Sequence, residues 1–490
     1  MKQKQSTLGS DAVRLTLSKA ITLGIGLATS MLLSRFRTLE EYGTYSQMLL
    51  VINLVTSLLM LGLPNSINYF IGRAETNEEK KRFLSVYYSL STLFSVVIGV
   101  VLVLAVPLIE KYFHNDLISA FWYFLALYPW TSIVNSSLEN VLVAYQKTRF
   151  LMVYRIIHSA TVLGILVLVQ LLGYGFTHFL IYYTLACCLF AVSVYVISYK
   201  INNGLFVSFD RTIIKSLLIF SIPIGLSSVV GTLNAEIDKL LIGYLLDTEQ
   251  LAIYTNAAKE LPLSIVATSI TAVLLPRLSM MMKKGKGEEA VKLWRYASEL
   301  AFIIIALIVF GIFVYAEDVV TILYSAKYLP GVNVFRVYTL NLLLRITYFG
   351  IILNASGNTK KILLCSILSL ALNAVLNPLF YWLFGMIGPA IATFIAIMAI
   401  QLIQLRMTTK IVGTGFGEIF PWKKIGKLLL INVLFAGAFW GIKILLPLEI
   451  YVGSILESVI LGVIWATLYL ILLKKKIKHT WQLLNSEGNE

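Results

Sequence analysis

Long apolar runs, separated by short clusters of charged and turn-forming residues, follow one another along nearly the whole chain. A bilayer core takes about 20 apolar residues per helical crossing. Read against that length, the pattern predicts fourteen crossings. The first six fall near 12–34, 43–71, 84–107, 117–145, 150–172 and 176–199. The next six fall near 213–245, 251–281, 295–316, 332–356, 361–384 and 387–409, and two more near 425–446 and 451–473. The predicted fold class is therefore all-α, a polytopic membrane protein. No gap between runs is long enough for a separate soluble domain.

Charge fixes the topology of that weave. Of the 40 Lys and Arg residues, 31 lie at the ends of the chain or on alternate loops, four lie on the other loops, and five lie inside the runs. Cytoplasmic loops of membrane proteins collect Lys and Arg. The densest cluster, Arg277, Lys283, Lys284, Lys286, Lys292 and Arg295, therefore marks the inner side. The sparse set, Arg35, Arg37, Lys111 and Lys327, marks the outer side. Both termini are expected in the cytoplasm, and the basic N-terminal stretch leads into a retained first helix rather than a cleaved signal peptide. A net charge of +15 in a soluble protein would point to nucleic acid. Here it is topological, and no nucleic-acid partner is expected. The three cysteines, Cys187, Cys188 and Cys365, sit inside apolar runs and form neither a disulfide framework nor a metal set.

The chain also echoes itself. LEEYGTYSQ after the first helix and TEQLAIYTNA after the seventh place Tyr45 and Tyr254 209 residues apart. Ala144 and Ala355 are 211 apart, and Gly173 and Gly385 are 212 apart. One nearly constant offset predicts two six-helix halves of the same orientation. The expected domains are 1–205 with helices 1–6, 206–412 with helices 7–12, and 413–490 with helices 13–14 as an appendage and a cytoplasmic tail.

Ionisable residues within membrane helices are costly, and they face a cavity or a partner. The densest group is Asn234, Glu236, Asp238 and Lys239 on helix 7, followed by Asn256, Lys259 and Glu260 on helix 8. Lys239 and Lys259 are candidates to line a cavity and attract an anion, with Glu236, Asp238 or Glu260 tuning them or holding a coupling cation. In the alternative, Glu236 and Lys239, three apart, neutralise each other. Arg345 lies near the middle of helix 10 with no acidic residue within a turn. It faces a cavity or pairs with another helix, and its planar fork suits phosphate. Arg35 and Arg37 end helix 1 at a cavity mouth or among head groups. Glu139 in helix 4 is a candidate proton or cation site. Glu457 is expected to be peripheral, and Lys443 to reach the outer interface by its stem. Pro223, Pro262 and Pro276 are expected to kink helices 7 and 8. Asn53, Asn65, Asn68, Asn135, Asn140, Asn373 and Asn377 are candidates for bonds between helices or to sugar hydroxyls. No phosphate loop, metal motif or nucleophile–base set is present, so no cofactor and no ATP hydrolysis are expected.

The string LNASGNTKKILLCSILSLALNAVLNPLFYWLFGMIGPAIATFIA resembles the polysaccharide-transport branch of the multidrug/oligosaccharidyl-lipid/polysaccharide exporter superfamily. Its matching residues are Gly357, Asn358, Thr359, Lys360, Asn373, Asn377, Gly385, Gly388, Ala390 and Ala392. The segments around Asp238, Lys239, Tyr254, Ala257, Pro262 and Pro276, and around Glu41, Tyr42, Gly43 and Tyr45, resemble the same branch. The resemblance implies two six-helix lobes in a V around a cationic cavity. It implies a flippase that carries undecaprenyl-pyrophosphate-linked oligosaccharide across a bacterial cytoplasmic (inner) membrane, with H+ or Na+ as a coupling ion. Its expected partners are that lipid-linked substrate, membrane lipids and a polysaccharide polymerase or export machinery. Peptidoglycan-precursor flippases of this superfamily carry several arginines in the N-lobe cavity; here Arg14 and Lys19 near the inner end of helix 1 and Arg35 and Arg37 near its outer end are the only counterparts, so O-antigen, exopolysaccharide or capsule units are favoured over the murein precursor. The competing readings are a drug or metabolite:cation antiporter of the same superfamily and a membrane polysaccharide polymerase or ligase. The topology is open to direct test. A cysteine placed at Lys284 is expected to react with an impermeant thiol reagent only after the cytoplasmic face is opened; labelling from outside intact cells would overturn the assignment.

Overall fold

The computed structural model describes residues 8–259, 261, 264–445, 450 and 453–486. Among them every regular element is helical. The first compact unit, Met1–Ala252, contains α1 (Leu8–Phe36), α2 (Leu39–Met60), α3 (Ser66–Arg73), α4 (Asn77–Leu104) and α5 (Val106–Phe113). It continues with α6 (Trp122–Ala144), α7 (Thr148–Leu171), α8 (Phe176–Ile201) and α9 (Arg211–Leu245). A short helix, α10 (Thr248–Ala257), leads into the second unit, Ile253–Glu490. That unit holds α11 (Ser264–Lys283), α12 (Gly287–Val314), α13 (Ala316–Leu323), α14 (Val332–Leu344), α15 (Ile351–Ala355) and α16 (Thr359–Phe384). It ends with α17 (Gly388–Val412), α18 (Phe416–Ile419), α19 (Trp422–Leu445) and α20 (Ser454–Ser486).

Eleven segments of the described residues are long and apolar enough to cross a membrane, and one of them, Thr359–Val412, contains both α16 and α17. The eighth and tenth expected crossings are not among the eleven, and these are interrupted rather than continuous. The eighth stops at Ala257 and resumes at Ser264. The tenth stops at Leu344, turns through Arg345–Gly350 and resumes at Ile351. The second, expected over 43–71, also breaks. Leu61 and Gly62 adopt left-handed backbone (φ 42° and 72°), which ends α2, and Pro64 starts a new turn before α3. Pro223 and Pro276 lie within α9 and α11, whereas Pro262 is outside the described residues.

The internal echo recurs in the order of elements. α2 and α10 begin 209 residues apart, at Leu39 and Thr248. The starts of α4 and α12, α5 and α13, and α6 and α14 are each offset by 210 residues, those of α7 and α16 by 211, and those of α8 and α17 by 212. Both copies place a two-turn 3₁₀ segment before the next long helix, at Asp116–Phe121 before α6 and at Ala326–Gly331 before α14.

Within the first unit, the motif residue Glu41 closes a capping box with Thr38, with bonds of 3.0 and 3.1 Å, which fixes where α2 starts. α9 lies along α2. Ser57 donates to Thr232 at 3.0 Å, and Gly225 packs so closely that a Cβ there would meet the Leu61 backbone at 2.1 Å. In the second unit, α16 and α17 pack through small residues, with Gly388 against the Phe380 carbonyl.

Helices α19 and α20, the two that follow the repeat, pack into the core of the second unit. α12 is apolar on nearly every side, and they cover the side that the repeat leaves open. Phe435, Phe439, Trp465 and Tyr469 enter the same core as Trp294, Ile303 and Phe310. Two polar clusters pin them there. Buried Glu299 binds Lys424 at 2.8 Å and Lys476 at 3.2 Å. Asp318 accepts from Lys443 and, at 2.6 Å each, from Ser454 and Ser458. Lys443 is thus paired within the protein rather than extended to the interface, because a buried carboxylate one bond away offers a better partner than head groups. Glu457, expected at the periphery, is fully buried for the same reason: α20 turns it into the unit. Burial alone raises the Asp318 carboxyl, but the bonds from Lys443, Ser454 and Ser458 outweigh it and hold the group below its ordinary value. A carboxyl lowered in the folded state stabilises above its unfolded pKa and loses that contribution as pH falls through its folded one. Asp318→Asn is therefore expected to cost about 3 kcal/mol at neutral pH. The deficit should shrink on acidification, as read by thermal unfolding of the detergent-solubilised protein; a pH-independent deficit would contradict the assignment.

Candidate functional site

The polar residues of α6 are distributed by helical period. Ser132, Ser136, Glu139 and Asn140 share one face, while Ile133, Val134, Leu138, Val141 and Leu142 are buried on the other. That polar face is open. The Glu139 side chain is 37% exposed and its neighbour Lys19 on α1 is 60% exposed. These residues lie within segments long and apolar enough to span a bilayer. Lipid cannot solvate carboxylates, ammonium groups or carboxamides at such depth. Exposed and charged within apolar segments, this face is the candidate recess of the first unit.

Three helices bring their charges to one point. Glu139 Oε2 accepts from Arg155 Nη2 on α7, and Glu139 Oε1 stands 3.6 Å from Lys19 Nζ on α1. Two cations thus share one carboxylate, leaving an excess positive charge. Arg155 Nη1 is buried with no hydrogen-bond partner among the described residues, which is costly for a guanidinium. One turn away, Tyr154 donates to Asn135 at 2.9 Å and holds the α6–α7 seam. On the other flank, Asn68 on α3 donates to Asn140 at 2.8 Å. Next to it, Tyr69 stacks on Phe220 of α9 at 4.2 Å between centroids, and Arg73 lies over the Tyr69 ring at 4.3 Å. Two cations on one carboxylate, flanked by amides, aromatic rings and Arg73 over the Tyr69 ring, have the chemistry that suits an anionic ligand carrying polar groups.

The other expected site residues have different settings. Lys239 donates to Glu236 at 2.7 Å and to the Ala235 carbonyl at 2.9 Å, so this pair on α9 neutralises itself as one reading anticipated. Asp238 is buried and accepts from the Lys239 amide at 2.8 Å. Lys259 is exposed just beyond α10, and Glu260 lies outside the described residues. Arg345 is exposed at the end of α14, where the tenth crossing breaks. Gln401 donates to the Leu344 carbonyl that this break strands, and Thr347 accepts from Trp294 at 2.8 Å. Arg35 is exposed in the last turn of α1. Arg37 is buried and donates to the Tyr174 carbonyl at 3.1 Å; burial lowers its pKa, with Glu41 opposing. It ties the corner before α2 to the α7–α8 loop. Of the expected residues, Glu139 and Lys19 supply charge to the recess and Asn68, Asn135 and Asn140 border it; they are joined there by Arg155, which the charge pattern had assigned to the inner loops. The signal was its depth, seven residues beyond the start of α7 at Thr148, well inside the helix.

Comparison with known proteins adds a lineage to this geometry. A family model described as polysaccharide biosynthesis protein matches residues 32–333, more than half the chain. The chain belongs to that family. Among curated relatives, the probable lipid II flippase MurJ of Rickettsia prowazekii (strain Madrid E) is 26% identical over 196 residues, 37% of this chain and 38% of that protein. The capsular polysaccharide biosynthesis protein CapF of Staphylococcus aureus is 27% identical over 192 residues, 38% of this chain and 46% of that protein. The matches therefore span less than half the length of these two relatives. A solved structure titled lipid II flippase MurJ, inward closed conformation, superposes with a TM-score of 0.72 over 94% of this chain and 99% of that one, at 17% identity. This member of the polysaccharide biosynthesis family thus has the fold of that flippase, and the all-α, multi-helix membrane architecture read from its apolar pattern is the one observed.

Proposed function

We propose that this protein is a secondary transporter, not an enzyme: a flippase that moves undecaprenyl-pyrophosphate-linked oligosaccharide repeat units from the cytoplasmic to the outer leaflet by alternating access, without ATP hydrolysis. The observation that carries this reading is the recess in the first unit, where Lys19 and Arg155 share one carboxylate and Arg73 stands nearby. A diphosphate is the anion that such a set suits. Guanidinium and ammonium donors bond its oxygens, and low-dielectric surroundings strengthen the attraction. The polyprenyl chain stays in the bilayer while the head group enters the recess. The named activities of the family relatives support this direction of function.

The alternation of Lys and Arg between loops supports a bacterial cytoplasmic membrane with both termini inside. The two repeats, with boundaries at 205 and 412, are proposed as the moving lobes, with α19 and α20 attached to the second. Lys239, Lys259, Arg345, Arg35 and Arg37 remain proposed secondary contacts along the route, and Glu236, Asp238 and Glu260 proposed charge-tuning groups. A proton or sodium gradient is the proposed driving force, acting through Glu139 or Asp238.

The test uses purified protein in proteoliposomes with a fluorescent lipid-diphosphate oligosaccharide. The Lys19→Ala, Arg155→Met double variant is expected to lose about tenfold or more in translocation rate, since each charged hydrogen bond contributes about 1.5–3 kcal/mol. Lys111→Ala, on an outer loop, should match the wild type. A wild type that translocates no such lipid, or a double variant at full rate, would overturn the proposal.

A further inference from the structure

The rim beside the cations has a composition that the anion does not explain. Asn68 and Asn140 meet through a single bond, Asn68 Nδ2 to Asn140 Oδ1 at 2.8 Å. That leaves the Asn68 carbonyl oxygen and the Asn140 amide without protein partners among the described residues. Asn68 is exposed at the open face of α3, as are Tyr69 and Arg73. One acceptor and one amide donor, fixed side by side, match two neighbouring hydroxyls of a sugar ring. Beside them the Tyr69–Phe220 stack supplies an apolar slab, and Phe70 braces it edge-on to both rings. Aromatic faces are electron-rich and attract the C–H groups that line one side of a pyranose. Arg73 donates to the Tyr69 hydroxyl at 2.6 Å and keeps its other donors for a ligand.

Position supports the same ligand. Asn140 follows Glu139 directly, and Ser136, Glu139 and Asn140 lie on one helix face. Asn140 is the next residue after the carboxylate that Lys19 and Arg155 share, and Asn68 is bonded to it, so the pair neighbours the place where a diphosphate would carry its first sugar. A structural amide pair would be buried between helices; this one borders the recess.

We infer that Asn68, Asn140, Tyr69 and Arg73 form a carbohydrate subsite that reads the sugar attached directly to the diphosphate. The inference rests on the flippase reading, and its failure is separable from that of the reading. Binding of undecaprenyl diphosphate, bare or carrying one glucose, galactose or N-acetylglucosamine, is measured to the full-length protein in nanodiscs. The readout is the affinity ratio of each glycosylated probe to the bare one. The wild type is expected to bind at least one glycosylated probe about tenfold tighter, the discrimination of one good pair of polar contacts. Asn140→Ala and Tyr69→Leu should bring that ratio close to one, while Tyr69→Phe, which keeps the ring, should retain most of it. A wild-type ratio near one for all three sugars would overturn the subsite even if every variant failed to fold, and so would an unchanged ratio in folded Asn140→Ala and Tyr69→Leu. No binding of any probe, the bare lipid diphosphate included, would instead count against the flippase reading itself.

Discussion

A charged or amide side chain that faces outward at membrane depth has to find water or a partner, because hydrocarbon offers neither. That constraint organises this protein. Around most of the helical surface it is met by the absence of polar groups, and Val, Leu, Ile and Trp face the lipid. At the core of the second unit it is met by closure: Glu299 is bonded to two lysines, and Asp318 to one lysine and two serines. Among the described residues, the open face of α6, with its neighbours on α1, α3 and α7, leaves an ion-paired carboxylate and a row of amides exposed. Water must reach that face, and a charged ligand can follow it.

The duplicated order of elements explains why such a face exists. Each copy runs through a helix, a short outer helix, a 3₁₀ turn and another helix at nearly the same offset. Both copies interrupt their second crossing, the second copy after Ala257, and the second copy breaks once more. The first interrupts its second crossing at Leu61–Gly62, where α9 lies so close that Gly225 leaves no room for a side chain. The second interrupts its fourth crossing at Arg345–Gly350, where Gln401 takes up a stranded carbonyl. Irregular backbone at membrane depth persists only where side chains or neighbouring helices satisfy it. The later addition of α19 and α20 seals the side of α12 that six helices leave uncovered.

Much of this was legible from the chain alone. Length and period of the apolar runs predict the helices, and offsets between Tyr45 and Tyr254 or Ala144 and Ala355 predict the repeated order of elements. Pro262 marks the eighth crossing, but the break in the tenth was not legible, because it is a turn at Arg345–Gly350 whose stranded Leu344 carbonyl is taken up by Gln401 from another helix. The site was half legible. Glu139 stood out as a carboxylate within an apolar run. Lys19 stood out as a counterpart of cavity arginines but its pairing with Glu139 did not, and Arg155 lies near a segment already rich in cations, so only the packing of α1 and α7 on α6 separates the two from the loop charges. Likewise Lys443 and Glu457 read as peripheral until α20 is seen to turn inward. Sequence spacing reveals which residues share a helix face, but not which helix that face meets.

The central claim is that the α6 face bearing Ser136, Glu139 and Asn140 is wet and accepts a lipid-linked anion. It is tested most directly with a single cysteine at Ser136, in a chain whose Cys187, Cys188 and Cys365 have been replaced, in native-like membranes. A charged, water-soluble thiol reagent is expected to modify that cysteine readily, and a lipid-linked diphosphate to protect it. Modification by a lipophilic reagent alone, with the charged one excluded and no protection by the lipid, would contradict the account.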